Sequence, residues 1–409
     1  MVYLLQKTSP KETYPLKYSV LNDDTIKESQ LTDFLRFELE QKYASKHTLE
    51  FKPKNFIDKL ITFNNPKINQ VLKQILNNDF KYFKDDEVAN GIHPHHDFIN
   101  KKMKAILGES VEIGDGIFGL TERQLVALSL NEEEKKFVKR YYSDTKHFSK
   151  YYGEKIENKF IIYTTSEFKK PNSLNNYPNL KNHLDKFQEV ITSDNKPYGL
   201  HRARKEDFFI GEKIAVQRKS PNEPVFTYLN FDSYLSAAFY VIKTNRFNTK
   251  YLTALLNSSL VKFWLRYKGK MQGDNFQVDK EPLVYIPIIE PKETKPFVSL
   301  VDYILFLKSN KDILSHTDND SISSHIENIL DMMVYELYFE KHMKEQGLNV
   351  LEFINPKPFN KETNTQEKEE IIKHFYEWFQ EPENAVRQRM LLIETRSPDV
   401  LALINSSTI

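Results

Sequence analysis

The apolar residues of this chain recur at helical spacing in several segments. The clearest stripe follows Pro66 and consists of Ile68, Val71, Leu72 and Ile75, which share one face of a helix with 3.6 residues per turn. The same spacing predicts further helices at 31–43, 131–140, 178–187 and 248–264.

Runs of β-branched and aromatic residues between these helices predict strands. They lie at 160–165, 213–217, 225–229, 237–242 and 283–288. Beyond Pro291 the pattern is helical, and Ser324–Glu327 has the form of a capping box. The order of elements therefore predicts a region of mixed strands and helices followed by a helical region.

The composition excludes several kinds of chemistry. Cysteine is absent from the 409 residues, so disulfides, thiol catalysis and cysteine-bound zinc are excluded. The chain has 11 glycines, against roughly 29 expected at an average usage of about 7%, which leaves few places where the backbone could cradle a phosphate. The sequence shows neither a signal-peptide pattern nor an apolar run of ~18 residues, so we expect a cytoplasmic protein.

One glycine cluster, Gly114–Gly119, matches the G-x-G-x-x-G pattern of dinucleotide-binding turns. That interpretation requires a helix to open at Ile117-Phe118 within a βαβ unit, and no such unit surrounds it. The alternative is a tight hairpin, because Asp115-Gly116 is a strong signal for a two-residue turn. We favour the hairpin.

Charge is distributed unevenly along the chain. Residues 196–280 contain 15 Lys and Arg against 7 Asp and Glu, a net charge of +8. Residues 281–409 contain 13 against 22, a net charge of −9. A basic middle beside an acidic end indicates a face for a polyanion and a separate region with another task.

Motifs for catalysis are weak, and we assign no catalytic residue. Asp115 with Glu134 and Lys136 fits the letters of a magnesium-dependent nuclease, but the Glu-Lys run is predicted on a polar helix rather than on a buried strand. An amino-directed DNA methyltransferase needs two adjacent prolines before an aromatic residue. No two prolines are adjacent, and Lys357 interrupts the nearest string, Asn355–Phe359.

A histidine-rich segment, His93-Pro94-His95-His96-Asp97, raises the question of a metal site. Such a site needs further ligands and supporting hydrogen bonds, and the sequence offers no cysteine and no distant His-x-x-x-His pair. We favour a surface loop without metal, which could still contact nucleic acid.

Three basic clusters favour nucleic-acid binding. They are Tyr198–Lys205, Gln217–Ser220 and Lys268–Asn275. Arg, Gln and Asn can form paired hydrogen bonds with guanine and adenine edges, whereas Lys and Ser suit phosphates.

The order of several short strings over 85–290 resembles the TaqI-like specificity domain of type IIG restriction–modification enzymes and adenine-specific DNA methyltransferases. The strings are Val88–Ile92, Val111–Phe118, Leu130–Lys135, Arg140–Tyr142, His147 with Tyr151-Tyr152, Ile161–Thr164, Tyr177–Leu184, Leu200–Arg202, Leu256–Ser258 and Ile286–Ile288. Residues 1–20 resemble the tail of the catalytic module of such an enzyme, and 297–409 resemble its helical C-terminal region.

This resemblance implies an α+β fold, with a mixed-sheet target-recognition domain and flanking helices followed by a mainly α-helical C-terminal domain. It implies a largely helical connector at 1–84, the specificity domain at 85–290 and the helical domain at 291–409. Its partners would be double-stranded DNA and a methyltransferase or nuclease domain or subunit. S-adenosylmethionine and magnesium would bind that catalytic part, with no cofactor in this chain.

The candidate DNA-binding residues come from two sources. The segments Asn90–His96 and His201–Lys205 are carried over by position from the resemblance, and the remaining residues are added for their chemistry. The set is Asn90, His93, His95, His96, His201, Arg202, Arg204, Lys205, Arg218, Lys219, Lys268, Lys270, Gln272, Asn275 and Gln277. Two alternatives remain: a cryptic magnesium-dependent nuclease, and a protein-interaction module whose surface is the acidic helical end.

Overall fold

The structure is a computed structural model that describes residues 13–21, 26–40, 42–51, 64, 66–156 and 158–406. The sequence comparison of 1–20 with a catalytic module falls largely on residues outside these ranges. The chain divides between Asn77 and Asn78 into two compact units.

The first unit contains an antiparallel pair of strands, β1 (Tyr14–Leu21) and β2 (Ala44–Phe51). Its helices are α1 (Leu31–Leu35) and α2 (Pro66–Ile75). The apolar stripe predicted after Pro66 is confirmed, because Ile68, Val71, Leu72 and Ile75 are buried.

The helix predicted for 31–43 is wrong beyond its first five residues. Helix α1 ends at Leu35, and Phe37 has a φ of 63°. A right-handed helix cannot continue through a residue with this backbone conformation. The four-residue spacing of Leu31, Leu35 and Leu39 is therefore not evidence of one continuous helix.

The described residues of the second unit form three sheets. Their strands are, in chain order, β3 (Val88–Asn90), β4 (Gly119–Thr121), β5 (Val138–Tyr142), β6 (Tyr151–Tyr152), β7 (Lys159–Ile162), β8 (Lys213–Gln217), β9 (Lys219–Pro221), β10 (Phe226–Leu229), β11 (Tyr234–Leu235), β12 (Phe239–Ile242), β13 (Lys270–Gln272) and β14 (Asn275–Gln277). The five-stranded sheet has the order β3-β12-β8-β10-β6, and the four-stranded sheet has the order β11-β5-β7-β4. The three-stranded sheet has the order β13-β14-β9. Parallel and antiparallel pairs occur together, so these are mixed sheets.

Helices flank these sheets and make up most of the C-terminal part. They are α3 (Lys101–Leu107), α4 (Glu122–Ala127), α5 (Glu132–Lys135), α6 (Pro178–Asp185), α7 (Thr249–Asn257), α8 (Ser259–Lys268), α9 (Lys280–Val284), α10 (Lys295–Ser309), α11 (Asn319–Gln346), α12 (Thr365–Gln380), α13 (Ala385–Leu391), α14 (Ile393–Arg396) and α15 (Leu401–Ser406). The predicted α+β class with a helical C-terminal region is confirmed. Within the described part of the chain, every helix is too short or too polar to span a membrane.

One apolar core of the described residues draws its side chains from both of the larger sheets. Leu120 and Ile161 come from the four-stranded sheet, Phe239 and Val241 from the five-stranded sheet, and all four are fully buried. Helix α6 adds Leu180 to the same cluster. Because each such side chain contributes roughly 1.5–3 kcal/mol on full burial, this core holds the surface loops above it in place.

Three further sequence predictions need correction. The helix expected at 131–140 stops after Lys135, and Val138–Tyr142 forms strand β5. The strand expected at 283–288 is replaced by helix α9 and a single bridge between Ile288 and Lys81. The capping box expected at Ser324 lies inside α11, which begins at Asn319 under an Asp318 cap.

The glycine cluster is not a hairpin with Asp115-Gly116 at its tip. The turn runs from Glu112 to Asp115, and Gly114 takes a φ of 96°. Gly116 forms a bridge with Phe98, and a Cβ at Gly116 would lie 2.1 Å from the carbonyl oxygen of Gly119. The glycines therefore serve a turn and a close backbone approach.

Candidate nucleic-acid interface

Strands β9, β13 and β14 form a small antiparallel sheet, which we name the hairpin sheet. Strands β13 and β14 are joined by Gly273-Asp274, and Gly273 has a φ of 60°. A positive φ at this position is typical of two-residue hairpin turns. The loop predicted at 268–277 is therefore an ordered ribbon.

One face of the hairpin sheet is polar and the other is buried. Residues directly opposite each other share a face, which puts Lys219, Lys270 and Gln277 in one row and Gln272 with Asn275 in the next. The intervening row, Met271, Phe276 and Ser220, lies on the other face, where Phe276 and Ser220 are buried. Five of the predicted DNA-binding residues thus share one face.

Arg218 precedes the hairpin sheet and is held by several contacts. Its backbone N–H donates to the Ala238 carbonyl, and its guanidinium lies 5.2 Å from the centre of the Tyr240 ring. A second anchor is Asp279, whose Oδ1 is 3.6 Å from Arg218 Nη2. The same carboxylate is 3.9 Å from the Lys270 ammonium, so Asp279 partly offsets the positive charge at this edge.

The predicted histidines meet in one group of four, which we name the histidine cluster: His93, His95, His96 and His201. The His95 and His96 rings stack with centroids 4.5 Å apart, and His95 lies 4.9 Å from His201. Two segments more than 100 positions apart supply these rings. They are joined by paired 3.1 Å hydrogen bonds between the backbones of His93 and Arg202.

Burial lowers the pKa of three histidines of the cluster. It is the largest cause of a lowered pKa at His93, His96 and His201, and neighbouring imidazoles add to it. The pKa of His96 falls to about 4. At neutral pH His96 is therefore uncharged, and its Nε2 accepts a hydrogen bond from the Thr192 backbone N–H at 3.2 Å.

Two imidazole nitrogens of this cluster have unused hydrogen-bonding capacity. Nδ1 of His96 and Nδ1 of His201 are buried without a hydrogen-bond partner among the described residues. Buried polar atoms of this kind are rare and usually have a partner such as water or a ligand. The side chains of His93 and His95 are exposed beside them.

Tyr240 lies next to candidate residues from two parts of the chain, Arg218 and Asn90. It pairs with Asn90 across β12 and β3, and the Arg218 guanidinium lies over its ring. It also acts electrostatically on Arg204, where burial lowers the pKa of the guanidinium and Tyr240 opposes that effect. Arg204 Nε donates to the Gly91 carbonyl at 3.3 Å. Candidate residues from these two parts of the chain thus lie beside one aromatic residue.

Two candidate lysines lie at the margins of these groups. Lys205 is exposed and precedes the short 3-10 helix at Glu206–Phe209. Lys268 is the last residue of α8, directly before the hairpin sheet, and burial lowers its pKa. Neither position is a strand residue, so their side chains are less tightly placed than those of the sheet face.

The alternative catalytic motif does not converge in the structure. The Glu134 carboxylate is buried and accepts hydrogen bonds from the backbones of Asn131, Asn179 and Leu180. Within the described ranges, no group of three or more His, Asp or Glu side chains is arranged to hold a metal ion. Glu134 therefore joins α5 to α6.

Sequence reasoning missed Tyr240, Asp279 and Thr192, which position the candidate residues. The available signal for Tyr240 was its place in a strand-like run beside basic segments. Asp279 contacts Arg218, and Thr192 contacts His96; the residues of each pair lie 61 or more positions apart in the chain. No local pattern could have identified those two contacts.

Comparison with known proteins finds a family model that matches part of the chain. Residues 138–288 match the model of the TaqI-like C-terminal specificity domain, whereas no curated protein matches the chain. The solved structure of the type IIL restriction–modification enzyme MmeI in complex with DNA is 14% identical, with a TM-score of 0.39, over 86% of this chain and 40% of that one. The type IIG restriction endonuclease BpuSI is 14% identical, with a TM-score of 0.34, over 76% of this chain and 38% of that one.

The chain thus spans 40% and 38% of the lengths of these two proteins. The family match covers the hairpin sheet, Tyr240 and His201, and it begins after the segment of His93–His96. The resemblance found in the sequence is confirmed over residues 138–288, which match the TaqI-like C-terminal specificity domain.

Proposed function

We propose that this chain recognises a target sequence in double-stranded DNA as the specificity part of a type IIG restriction–modification system. The observation that carries the proposal is the polar face of the hairpin sheet, with Arg218 directly before it and over the Tyr240 ring. The match of 138–288 to a specificity-domain family supports it. We place the recognition domain at 85–290, between a connector at 1–84 and a helical domain at 291–409.

The side chains of the sheet face divide by chemistry. Gln272 and Asn275 are exposed, and their amides can donate to and accept from the major-groove edge of adenine. The Gln277 amide nitrogen donates to Asp279 at 3.0 Å, so this side chain would have to leave that carboxylate to bind a base in the same way. Lys219 and Lys270 carry charges suited to phosphates, which fix the register without reading sequence. The major groove admits a two-stranded ribbon, so the β13–β14 hairpin is the element we assign to it.

The histidine cluster adds an imidazole that is uncharged at neutral pH, His96, to these charged side chains. The uncharged His96 orders the loop, and the exposed His93 and His95 can donate or accept hydrogen bonds. Arg202 and Lys205, both exposed beside the cluster, supply phosphate contacts.

Catalysis belongs to a linked or partner domain in this proposal. That domain would be an N6-adenine methyltransferase that binds S-adenosylmethionine and flips its target base, together with a magnesium-dependent nuclease. The present chain would fix the position of that machinery on the DNA.

Measurement of DNA affinity as a function of salt tests the proposal. We expect the logarithm of the binding constant to fall linearly with the logarithm of salt concentration, by about 0.9 for each phosphate contacted. Lys219→Ala should lower this slope by about 1. The control Lys341→Ala, which removes a 90%-exposed lysine of α11, should leave it unchanged. Affinity independent of salt, or equal effects of both variants, would contradict the proposal.

A further inference from the structure

A large cleft lies in the helical C-terminal part, and none of its lining residues belongs to the basic segments. It has a volume of about 1020 Å³ and is bounded by α12, by Tyr303 of α10 and by the segment at 353–364. We name it the C-terminal cleft. A volume at the top of the ~300–1,000 Å³ range of small-molecule pockets suits several side chains of a peptide.

The C-terminal cleft is preformed. The Tyr303 hydroxyl donates to the Lys357 carbonyl oxygen at 2.5 Å, which ties the 353–364 segment to α10. Asn364 caps α12 through a reciprocal pair of hydrogen bonds with Glu367. A ligand would therefore bind without first having to order these walls.

Aromatic side chains and carboxylates line the cleft together. The rings of Phe375 and Trp378 lie 5.2 Å apart and are half-buried. Glu362, Glu367 and Glu370 are exposed at the rim. Lys357 also lines the cleft, and the Lys373 ammonium is 3.7 Å from the Glu370 carboxylate. The cleft lies within the segment 281–409, which has a net charge of −9.

This chemistry selects the kind of partner. Carboxylates repel DNA phosphates, so the cleft is unsuited to nucleic acid. Arginine binds carboxylates through two parallel hydrogen bonds and stacks on aromatic faces. Neighbouring rings already accept cations from this chain: the Arg389 guanidinium is 4.2 Å from the Phe353 centroid, and the Lys368 ammonium is 5.5 Å from that of Phe359.

We propose that the C-terminal cleft docks an arginine-bearing segment of a partner protein, with an arginine over Trp378 and the rim carboxylates around it. This surface is separate from the proposed DNA interface, and the inference does not depend on DNA recognition. Under this inference the acidic end of the chain binds a protein partner, and the basic middle binds a polyanion.

Peptide binding to the full chain tests this inference. The probe is a short fluorescein-labelled peptide of alternating arginine and alanine, and the matched control peptide has glutamate in place of arginine. We expect only the arginine peptide to bind. Glu362→Gln with Glu370→Gln should weaken binding at least about threefold, and Trp378→Ala about tenfold.

A matched double variant separates the cleft from overall charge. Glu345→Gln with Glu383→Gln removes the same charge from exposed positions outside the cleft and should leave peptide affinity unchanged. Equal weakening by both double variants would overturn the inference, as would failure of the arginine peptide to bind. Binding of the glutamate peptide, or occupation of the cleft by a second copy of the chain, would also overturn it.

Tryptophan fluorescence gives a local readout that does not rely on affinity. The chain has two tryptophans, and Trp264 is only 5% exposed, so a change in emission on adding an unlabelled form of the peptide reports on Trp378. We expect a shift to shorter wavelength as Trp378 loses contact with water. Unchanged emission at saturating peptide would contradict docking in the cleft. DNA affinity should be the same in the Glu362→Gln, Glu370→Gln variant, so failure here is distinguishable from failure of DNA recognition.

Discussion

The guanidinium of Arg218 lies over the ring of Tyr240, 5.2 Å from its centre. Tyr240 is 5% exposed and pairs with Asn90 in the neighbouring strand, so the ring is fixed by the five-stranded sheet. Arg218 is thereby held at the junction of that sheet and the hairpin sheet. Under the proposed function Tyr240 is a positioning residue, because it would act on DNA only through the arginine that it supports.

Replacement of Tyr240 by leucine should weaken DNA binding about tenfold, because a partly desolvated cation–π contact is worth on the order of 1–2 kcal/mol. Tyr240→Phe keeps the ring and should restore most of the affinity. The measurement is affinity for a duplex selected from a random-sequence pool, with unfolding by urea as a check on folding. Equal loss in both variants would show that the hydroxyl, rather than the ring, matters.

The face of the hairpin sheet yields a second prediction, about specificity. Gln272→Ala and Asn275→Ala should broaden the selected sequence at individual positions and cost about 1–3 kcal/mol each on the selected duplex. Lys270→Ala should lower affinity nearly uniformly across sequences. The measurement is affinity for the selected duplex and for single-base variants of it. If the amide variants weaken all duplexes equally, the assignment of Gln272 and Asn275 to base contacts is wrong.

The buried strands were the most predictable part of the fold. Ile214 and Val216 lie in a short run rich in apolar residues, and such runs favour strands wherever the core forms. The hairpin sheet was not predicted, because its strands are only three residues long. It forms through pairing of Gln277 with Lys219, which is 58 positions away, and periodicity within one segment does not encode such a pairing.

The candidate site was predictable in its residue types and not in its geometry. Basic and amide side chains identified the segments, yet the meeting of His96 with His201 depends on backbone pairing between distant loops. The charges of the histidines were also not predictable, since their lowered pKa values come first from burial. DNA contact stays a prediction for every candidate residue, and the variants above test it for part of the set.

Arg246 and Glu87 form a partly buried ion pair that supports strand β3 beside the proposed DNA interface. Burial alone would raise the pKa of Glu87, but hydrogen bonds from Arg246, from Thr244 and from the Lys84 backbone lower it to about 2. Arg246→Ala should therefore lower the free energy of unfolding by about 3 kcal/mol at pH 7, because an uncompensated carboxylate remains. Urea titration provides the measurement.

The sign of the pH dependence checks this assignment. Because the pKa of Glu87 is lower in the folded state, its stabilisation is present above about pH 4.5 and is lost as pH falls towards 2. The double variant Arg246→Ala, Glu87→Gln should recover part of the stability lost in Arg246→Ala. If the double variant is less stable than the single one, the carboxylate is not the source of the cost.

The last prediction concerns His96. Burial lowers the pKa of this imidazole, whereas hydrogen bonds lower that of Glu87 against the effect of burial, and the two groups titrate in different pH ranges. The folded pKa of His96, about 4, is below the ordinary value of 6.5, chiefly because of burial, so the unfolded chain binds a proton that the folded chain does not bind between these values. Folding stability contributed by His96 is therefore present at pH 7 and falls as pH drops through 6.5 towards 4. The loss at pH 5 is about 2 kcal/mol.

A comparison with His96→Gln isolates this effect from other groups. Burial also raises the pKa of Asp97 and of Asp331 to about 6. Protonation of these two carboxyl groups stabilises the folded state as pH falls, which is opposite to the effect of His96. Because both proteins contain these groups, the comparison removes their contribution. We expect the native chain to be more stable than His96→Gln at pH 7, and the difference to shrink by about 2 kcal/mol at pH 5. Urea unfolding at both pH values measures this, and a difference independent of pH would mean that His96 titrates normally in the folded chain.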